Sequence, residues 1–527
     1  MNGNTIIQNP AVPELKIPVE LSRDHVTFNQ FIFRNKTNRN YLLIASIASI
    51  IQFVVFKLLY PFADFFSDSY SYIYGAYANL DINIWPIGYS WFLRYFHFIT
   101  TSDTAVVAFQ YFFLILASLV FFFTIGYFFK PNKSAINILF AFLFFNPLFL
   151  YIGNYINSDP LFAAISLLWL SQLIWIIQRP MLYQVVTHGI LLYLCFIVRN
   201  NAIIYPFISA FAFLLSNHRR FSKVLGIGFG SFLVILFINH QRDAAQRVIG
   251  QKEFSFFTGW QLANNALYMY NHIEVDSNAL PSEEAREMNR LSKEFYSHVR
   301  PEFDQYLTVY VANFFIRQPE APLKTYFRAH FNPKTEKEKV RDWGKAGLVF
   351  GEFGKHLMKE HPGAYARHFM LRNVKNYFLS PLEKLEVYNL GSREVWPIAV
   401  EWFKYKSKEA KAFSFTFQGR LLSLFPAFFL FINACFVFGV VLSWIKGLYK
   451  QQDPFIWRSV LLIATFWFAN LAFSVFATIN VLRYQFFPML VCVAFTAVVV
   501  SWMDEKKKIT IPTLPKLPAE RTAVTNY

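Results

Sequence analysis

The stretch YLLIASIASIIQFVVFKLLY, residues 41–60, carries a single charge, Lys57, and FFSDSYSYIYGAYANLDINIWPIGYSWFL, residues 65–93, follows almost at once. About 20 apolar residues in a helix cross the hydrocarbon core of a bilayer. The first stretch therefore reads as a membrane span, and the second as the loop just outside it. Outward from this pair the same alternation continues. Apolar segments run over Thr104–Phe129, Ala135–Tyr151, Asp159–Gln178, Tyr183–Val198, Ala202–Leu215, Val224–Asn239, Leu421–Lys446, Trp457–Ile479 and Phe486–Met503. The expected fold is an all-α polytopic membrane protein with about ten transmembrane helices. Its fifth and sixth segments are short and separated only by Arg199, Asn200 and Asn201.

Composition agrees. The 527 residues are 55% hydrophobic and 20% aromatic, with 64 phenylalanines and only 16% charged residues, where a soluble protein carries about a quarter. The net charge of +17 is spread over the flanks of apolar runs, where basic residues set orientation and meet anionic headgroups. That distribution argues against nucleic-acid binding. Cys195, Cys435 and Cys492 all fall inside apolar segments, so they form neither a disulfide framework nor a zinc motif. The opening MNGNTIIQNPAVPELK lacks the apolar core of a cleavable signal.

Basic residues before the first span, Arg23, Arg34, Lys36 and Arg39, and those in alternate connections, from Lys130 and Lys133 to Arg458, read as cytoplasmic, as do Lys506, Lys507 and Lys508. The opposite short connections hold only Arg94, Arg199 and Arg483. Both termini are then expected inside and Asp68 outside, with a bacterial inner membrane as the default setting. The chain divides into a cytoplasmic segment (1–40), a membrane module (41–239) with an acidic first outer loop (61–103), a mainly helical extracytoplasmic domain (240–420), the last spans (421–503) and a disordered cytoplasmic tail (504–527). Within the domain, SEEAREMNRLSKEFYSHV reads as a helix with Ser282 as N-cap. The segment Gly351–Phe378 is helix-like and suited to a membrane surface. No β-alternation, internal repeat or glycine-rich phosphate loop stands out.

Candidate chemistry lies on the outer side. Asp68 sits among Tyr70, Tyr72, Tyr74, Tyr77, Trp85 and Tyr89. An exposed carboxylate at a membrane interface suits a general base, and the rings suit sugar faces as well as an interfacial belt, though a solvated turn aspartate would look the same. Asp159, in NSDPLF, is either an ordinary helix start or a second carboxylate converging with Asp68. Arg199 and Arg483 occur where cytoplasm-biased arginines are out of place. They either snorkel to headgroups or bind phosphate, with Arg420 a weaker candidate for the same task. His356, His361 and His368 do not match the spacing of a zinc helix, and no metal site is assigned.

Together these pieces resemble the GT-C superfamily of polytopic glycosyltransferases, and its protein-mannosyltransferase-like members in particular. The resemblance rests on Asp68-Ser69-Tyr70 with Pro86-Ile87-Gly88-Tyr89-Ser90-Trp91-Phe92-Leu93, on Asn157-Ser158-Asp159-Pro160-Leu161-Phe162, and on Val481-Leu482-Arg483-Tyr484-Gln485-Phe486-Phe487-Pro488, in that order. Many relatives carry paired acids in the first loop, whereas Ser69 follows Asp68 here. The resemblance implies an inverting transfer from a polyprenyl-phosphate sugar to a glycan, lipid or protein acceptor. Asp68 would act as the base, with Asp159 positioning the acceptor or a divalent cation. Arg483, Arg199 and Arg420 would hold the donor phosphate, and Tyr70, Tyr72, Trp85 and Tyr89 would line the substrate site. A lipid or glycolipid transporter and a membrane glycan polymerase are the alternatives. A histidine-dependent acyltransferase would have only His188 within a span, towards the inside.

Overall fold

The computed structural model describes residues 26–298, 313–447, 450 and 454–509. Every regular element among them is helical, and the only β-type pairings are two isolated bridges. Two compact units divide the chain, Met1–Ile44 and Ala45–Tyr527. In the first, the short helix Phe28–Phe33 opens on a Thr27/Gln30 capping box. The second holds every element from Ser67 onward.

Among the described residues eight helices are long and apolar enough to cross a membrane: Lys36–Leu59, Asp103–Phe129, Lys133–Asn154, Ser158–Gln178, Arg220–Ile249, Phe417–Ile445, Pro454–Ala477 and Leu482–Met503. The fifth and sixth expected segments form shorter apolar helices, Gln184–Val198 and Asn200–Leu215. Arg199 between them is extended (φ −150°, ψ 137°), so the chain breaks at the charged residue. The third span is also interrupted. Pro147 cannot donate to the helix ladder, and the Asn146 side chain accepts from Leu148 N at 2.9 Å to restart it. Side-chain caps begin the second and third spans: Ser102 Oγ accepts from Ala105 N, and Asn132 Oδ1 from Ala135 N.

Ser158–Gln178 and Leu482–Met503 are buried over 83% of their most apolar windows, whereas Arg220–Ile249 is buried over 22%. The first two form the centre. The last presents Phe221, Val224, Phe232 and Ile235 outward, a face that is stable only against lipid or another apolar partner. With 30 residues it is roughly 45 Å long and closes on Gly250, whose φ of 79° a side chain would resist. The helix thus continues past residue 240, where the extracytoplasmic domain is expected to begin, as far as Ile249.

Between Gly250 and Phe417 a helical region folds on its own core. Trp260 stacks on Trp343 at 4.0 Å, with Phe350, Phe353, Leu357 and Phe369 fully buried around them. Thr258–Tyr270 and Glu336–Glu360 approach backbone to backbone through glycines. A Cβ on Gly259 would lie 1.7 Å from Gly347 O, and one on Gly354 would lie 2.6 Å from Ala263 N. Ser282 caps the helix Glu283–Ser297 by accepting from Ala285 N. The Gly351–Phe378 segment is helical but broken at His361–Pro362, with a wider turn over Ala366–Met370. The core extends to Ile82 and Ile84 of the first loop and to Ile479 and Val481 ahead of the last span. The last helix runs to Ile509. The rest of the expected tail, and residues 1–25 of the opening segment, lie outside the described residues.

Candidate active site

Asp68 occupies the first turn of the helix Ser67–Tyr77, where the positive end of the dipole favours a carboxylate. It is 7% exposed, so the expected exposed carboxylate is in fact buried. The fold offsets that burial with cations. Lys384 Nζ donates to Asp68 Oδ2 at 3.1 Å, and Arg483 Nη2 lies 3.6 Å from the same oxygen. Asp68 Oδ1 accepts from Ser67 Oγ at 3.2 Å. Burial alone would raise the Asp68 carboxyl, but Lys384 and Arg483 hold it below the ordinary carboxylate value.

Arg483 is the hub. Its Nη1 donates to Asp159 Oδ2 at 3.1 Å, its Nε lies 3.5 Å from Glu383 Oε2, and its Nη2 donates to Tyr484 Oη at 2.9 Å. The guanidinium lies over the Phe66 and Tyr484 rings, at 5.2 and 4.5 Å. Asp159 is also paired with Arg199, and Glu383 with Arg317. Four cations, Arg199, Arg317, Lys384 and Arg483, thus face three carboxylates, Asp68, Asp159 and Glu383. One positive charge is left over. Arg199 and Arg483 do not snorkel; the breaks at Arg199 and ahead of Phe486 turn both inward.

Glu383, Lys384 and Arg317 escaped the sequence reading. They lie in a region of mixed charge with no periodic pattern to mark them. The segment that carries the first two is pinned on several sides: Tyr155 Oη donates to Lys384 O at 2.7 Å, Leu482 N to Pro381 O at 2.9 Å, and Gln418 Nε2 to Leu385 O at 3.2 Å. These contacts hold Glu383 at φ 55°, a conformation that costs a non-glycine residue about 1–3 kcal/mol. Burial would raise the Glu383 carboxyl, yet Lys384, Arg317 and Arg483 bring it down to about 2. Burial lowers Lys384 to about 8, partly opposed by Asp68.

Two cavities meet at this cluster, and Asp68, Trp85, Arg483 and Tyr484 line both. One, of ≈330 Å³, is bounded by Tyr72, Asn157, Arg199, Phe473 and Phe476. Ile203 and Phe476, 45% and 47% exposed, line it from two apolar helices, Asn200–Leu215 and Pro454–Ala477. The buried Asn157 amide nitrogen, beside this cavity, has no hydrogen-bond partner. The other cavity, of ≈510 Å³, lies under the helical region and is bounded by Tyr70, Arg317, Lys324, Lys339, Trp343 and Trp396.

Of the residues singled out from the sequence, Asp68, Asp159, Arg199, Arg483, Tyr70, Tyr72 and Trp85 come together here. Tyr89 does not reach either cavity. It is fully buried and donates to Gln110 Oε1 at 2.6 Å, so its ring supports Tyr72 from behind at 4.9 Å. Arg420 lies apart, on an exposed groove with Leu382, Glu386 and Thr416. A divalent ion does not fit the donor set: each carboxylate already faces a guanidinium or ammonium. Among the described residues no group of three or more His, Cys, Asp or Glu side chains could hold a metal. Compared with protein-family models, curated proteins and solved structures, the chain matches none of them.

Proposed function

We propose that this chain is an integral membrane glycosyltransferase that moves a sugar from a polyprenyl-phosphate donor to an extracytoplasmic acceptor with inversion. The observation that carries the reading is the pair of cavities sharing Asp68 and Arg483. One is apolar at its edge and opens between membrane helices, as a lipid-borne donor requires. The other is polar and aromatic, as a saccharide acceptor requires. A single displacement needs both substrates to meet at one carboxylate, and they can meet here.

The donor phosphate enters beside Arg199 and Arg483, and the unpartnered Asn157 amide offers it a further donor. The acceptor hydroxyl attacks the anomeric carbon from the polar cavity. Its oxygen forms the new bond to C1 while the C1–O bond to phosphate breaks, and that electron pair leaves on the phosphate oxygen. The extra positive charge of the cluster stabilises this oxyanion without reorganisation. Asp68 accepts the hydroxyl proton. Its lowered pKa makes it a weak base, but an oxocarbenium-like transition state makes the attacking hydroxyl strongly acidic as the bond forms, so a weak base in the anionic state suffices.

The charges sit at helix ends and not along a span, which favours an interfacial reaction over a pathway across the midplane. The test is sugar release or transfer by purified protein with a panel of polyprenyl-phosphate sugars, beside Asp68→Asn. Turnover that falls at least 100-fold in Asp68→Asn, in a protein that elutes and melts as the parent does, is the expected result. Full activity in that variant would remove Asp68 from the mechanism.

A further inference from the structure

The polar cavity carries more positive charge than the reaction centre accounts for. Arg317, Lys384 and Arg483 are matched against Glu383, Asp68 and Asp159, and Lys339 Nζ is 3.2 Å from Glu336. Lys324 is different. Among the described residues it pairs with no carboxylate, and the charges that act on it, Lys339 and Arg328, are both like its own. Its ammonium instead rests over the indoles of Trp343 at 4.5 Å and Trp260 at 5.3 Å. Burial, with those two cations, lowers it to about 8. Cation–π contact offsets part of the cost of holding such a charge, and an anion arriving between Lys324 and Lys339 would remove the rest.

A flat surface for a sugar ring lies beside them. Tyr70 and Trp396 stack face to face at 4.4 Å with an interplanar angle of 1°. Trp396 is 51% exposed and Lys339 Nζ stands 5.9 Å from its ring centre. Ring, ammonium and the reactive Asp68 all border one cavity.

We infer that the polar cavity selects an anionic acceptor: a saccharide bearing a phosphate or carboxylate, with the anion on Lys324 and Lys339 and a sugar ring against Trp396. This deepens the proposed function and rests on it for the word acceptor; the binding site itself does not. The anion distinguishes its ligand from a neutral glycan or an unmodified peptide hydroxyl.

The experiment titrates the full chain in neutral detergent, following tryptophan fluorescence, with glucose 6-phosphate, a glucuronate-containing disaccharide, maltotriose, and a phosphorylated glycolipid in phosphatidylcholine vesicles. Both soluble anionic saccharides should bind at least tenfold more tightly than maltotriose and lose that advantage in Lys324→Gln, while Lys324→Arg retains it. A response confined to the glycolipid, still lost in Lys324→Gln, places the anion on a lipid-borne saccharide and upholds the inference. Equal binding of neutral and anionic probes, or an unchanged preference in Lys324→Gln, overturns it. Should Lys324→Gln misfold, the parent protein decides through salt: the anionic preference must shrink several-fold on raising ionic strength, and a salt-independent preference overturns the inference. Lys324-dependent binding with no transfer from any lipid donor would sink the glycosyltransferase reading and leave the site standing. Transfer to neutral acceptors, indifferent to Lys324→Gln, would do the reverse.

Discussion

Lys384 is the residue on which the charge balance of the cluster turns. It is buried against Asp68, and its amine titrates at about 8 instead of the usual 10.5. Below that value it is an ammonium and the cluster carries its extra positive charge; above it the charge is gone. Transfer is therefore expected to decline above about pH 8. Stability should move the other way. Between about 8 and 10.5 the unfolded chain binds a proton at this residue that the folded chain does not, so this group adds stability as pH rises through that window. Activity and melting temperature measured from pH 6 to 9.5 separate the two effects. Lys384→Arg, always charged, should keep its activity to higher pH. An alkaline limb unchanged in Lys384→Arg would assign it to another group. Arg199 and Arg483 could be picked out from sequence because an arginine at the outer end of an apolar segment is conspicuous, Asp68 because it stands in an aromatic outer loop, and Asp159 because it opens a span on the same side. Lys384, Glu383 and Arg317 could not, since each is one charge among many until tertiary folding pins the 380s segment to Tyr155 and Leu482.

At the scale of elements, the site depends on how closely Thr258–Tyr270 lies on Glu336–Glu360, because Phe257 at the head of the first and Lys339, Val340 and Trp343 on the second border the polar cavity. Gly259→Ala would place a Cβ 1.7 Å from Gly347 O. Backbone atoms cannot yield as a flexible side chain does, so the helices must separate, at a cost of about 1–3 kcal/mol. Gly228→Ala is the contrasting change. A Cβ there meets nothing within 4 Å, and alanine favours a helix by up to about 1 kcal/mol. Thermal melts should show the first variant lowered and the second level or raised; equal melting of Gly259→Ala and its parent would mean that the two helices do not depend on this contact. Most elements were legible from apolar run length and polar punctuation. The domain's helix after Ser282 was legible from its cap. What was not legible was the length of Arg220–Ile249, whose polar end continues helical well past its apolar run, and the glycine face of Glu336–Glu360, since Gly344, Gly347, Gly351 and Gly354 lower helix propensity and reveal their use only when Gly259 lies against them.

For the whole molecule, the proposed reaction requires a definite sidedness. Sugar nucleotides are made and held in the cytosol, so a site on that side would have no need of a lipid-activated donor. The distribution of basic residues leads to the expectation that the Asp68 loop and the Gly250–Phe417 region are outside, and the folded chain gathers Asp68, Asp159, Arg199, Lys384 and Arg483 from distant segments into one cluster, which a single face of the membrane must hold. The native thiols complicate labelling little, since Cys195, Cys435 and Cys492 lie in apolar helices. Lys411, exposed in the Gly250–Phe417 region, and Lys133, exposed at the start of a span, are therefore suitable probes of the two expected sides. In intact cells a membrane-impermeant maleimide should label Lys411→Cys and leave Lys133→Cys untouched until lysis. The reverse pattern would put the cluster in the cytosol, beside sugar nucleotides. The case for a polyprenyl-phosphate donor would then fail on grounds of supply, whatever the geometry of its two cavities.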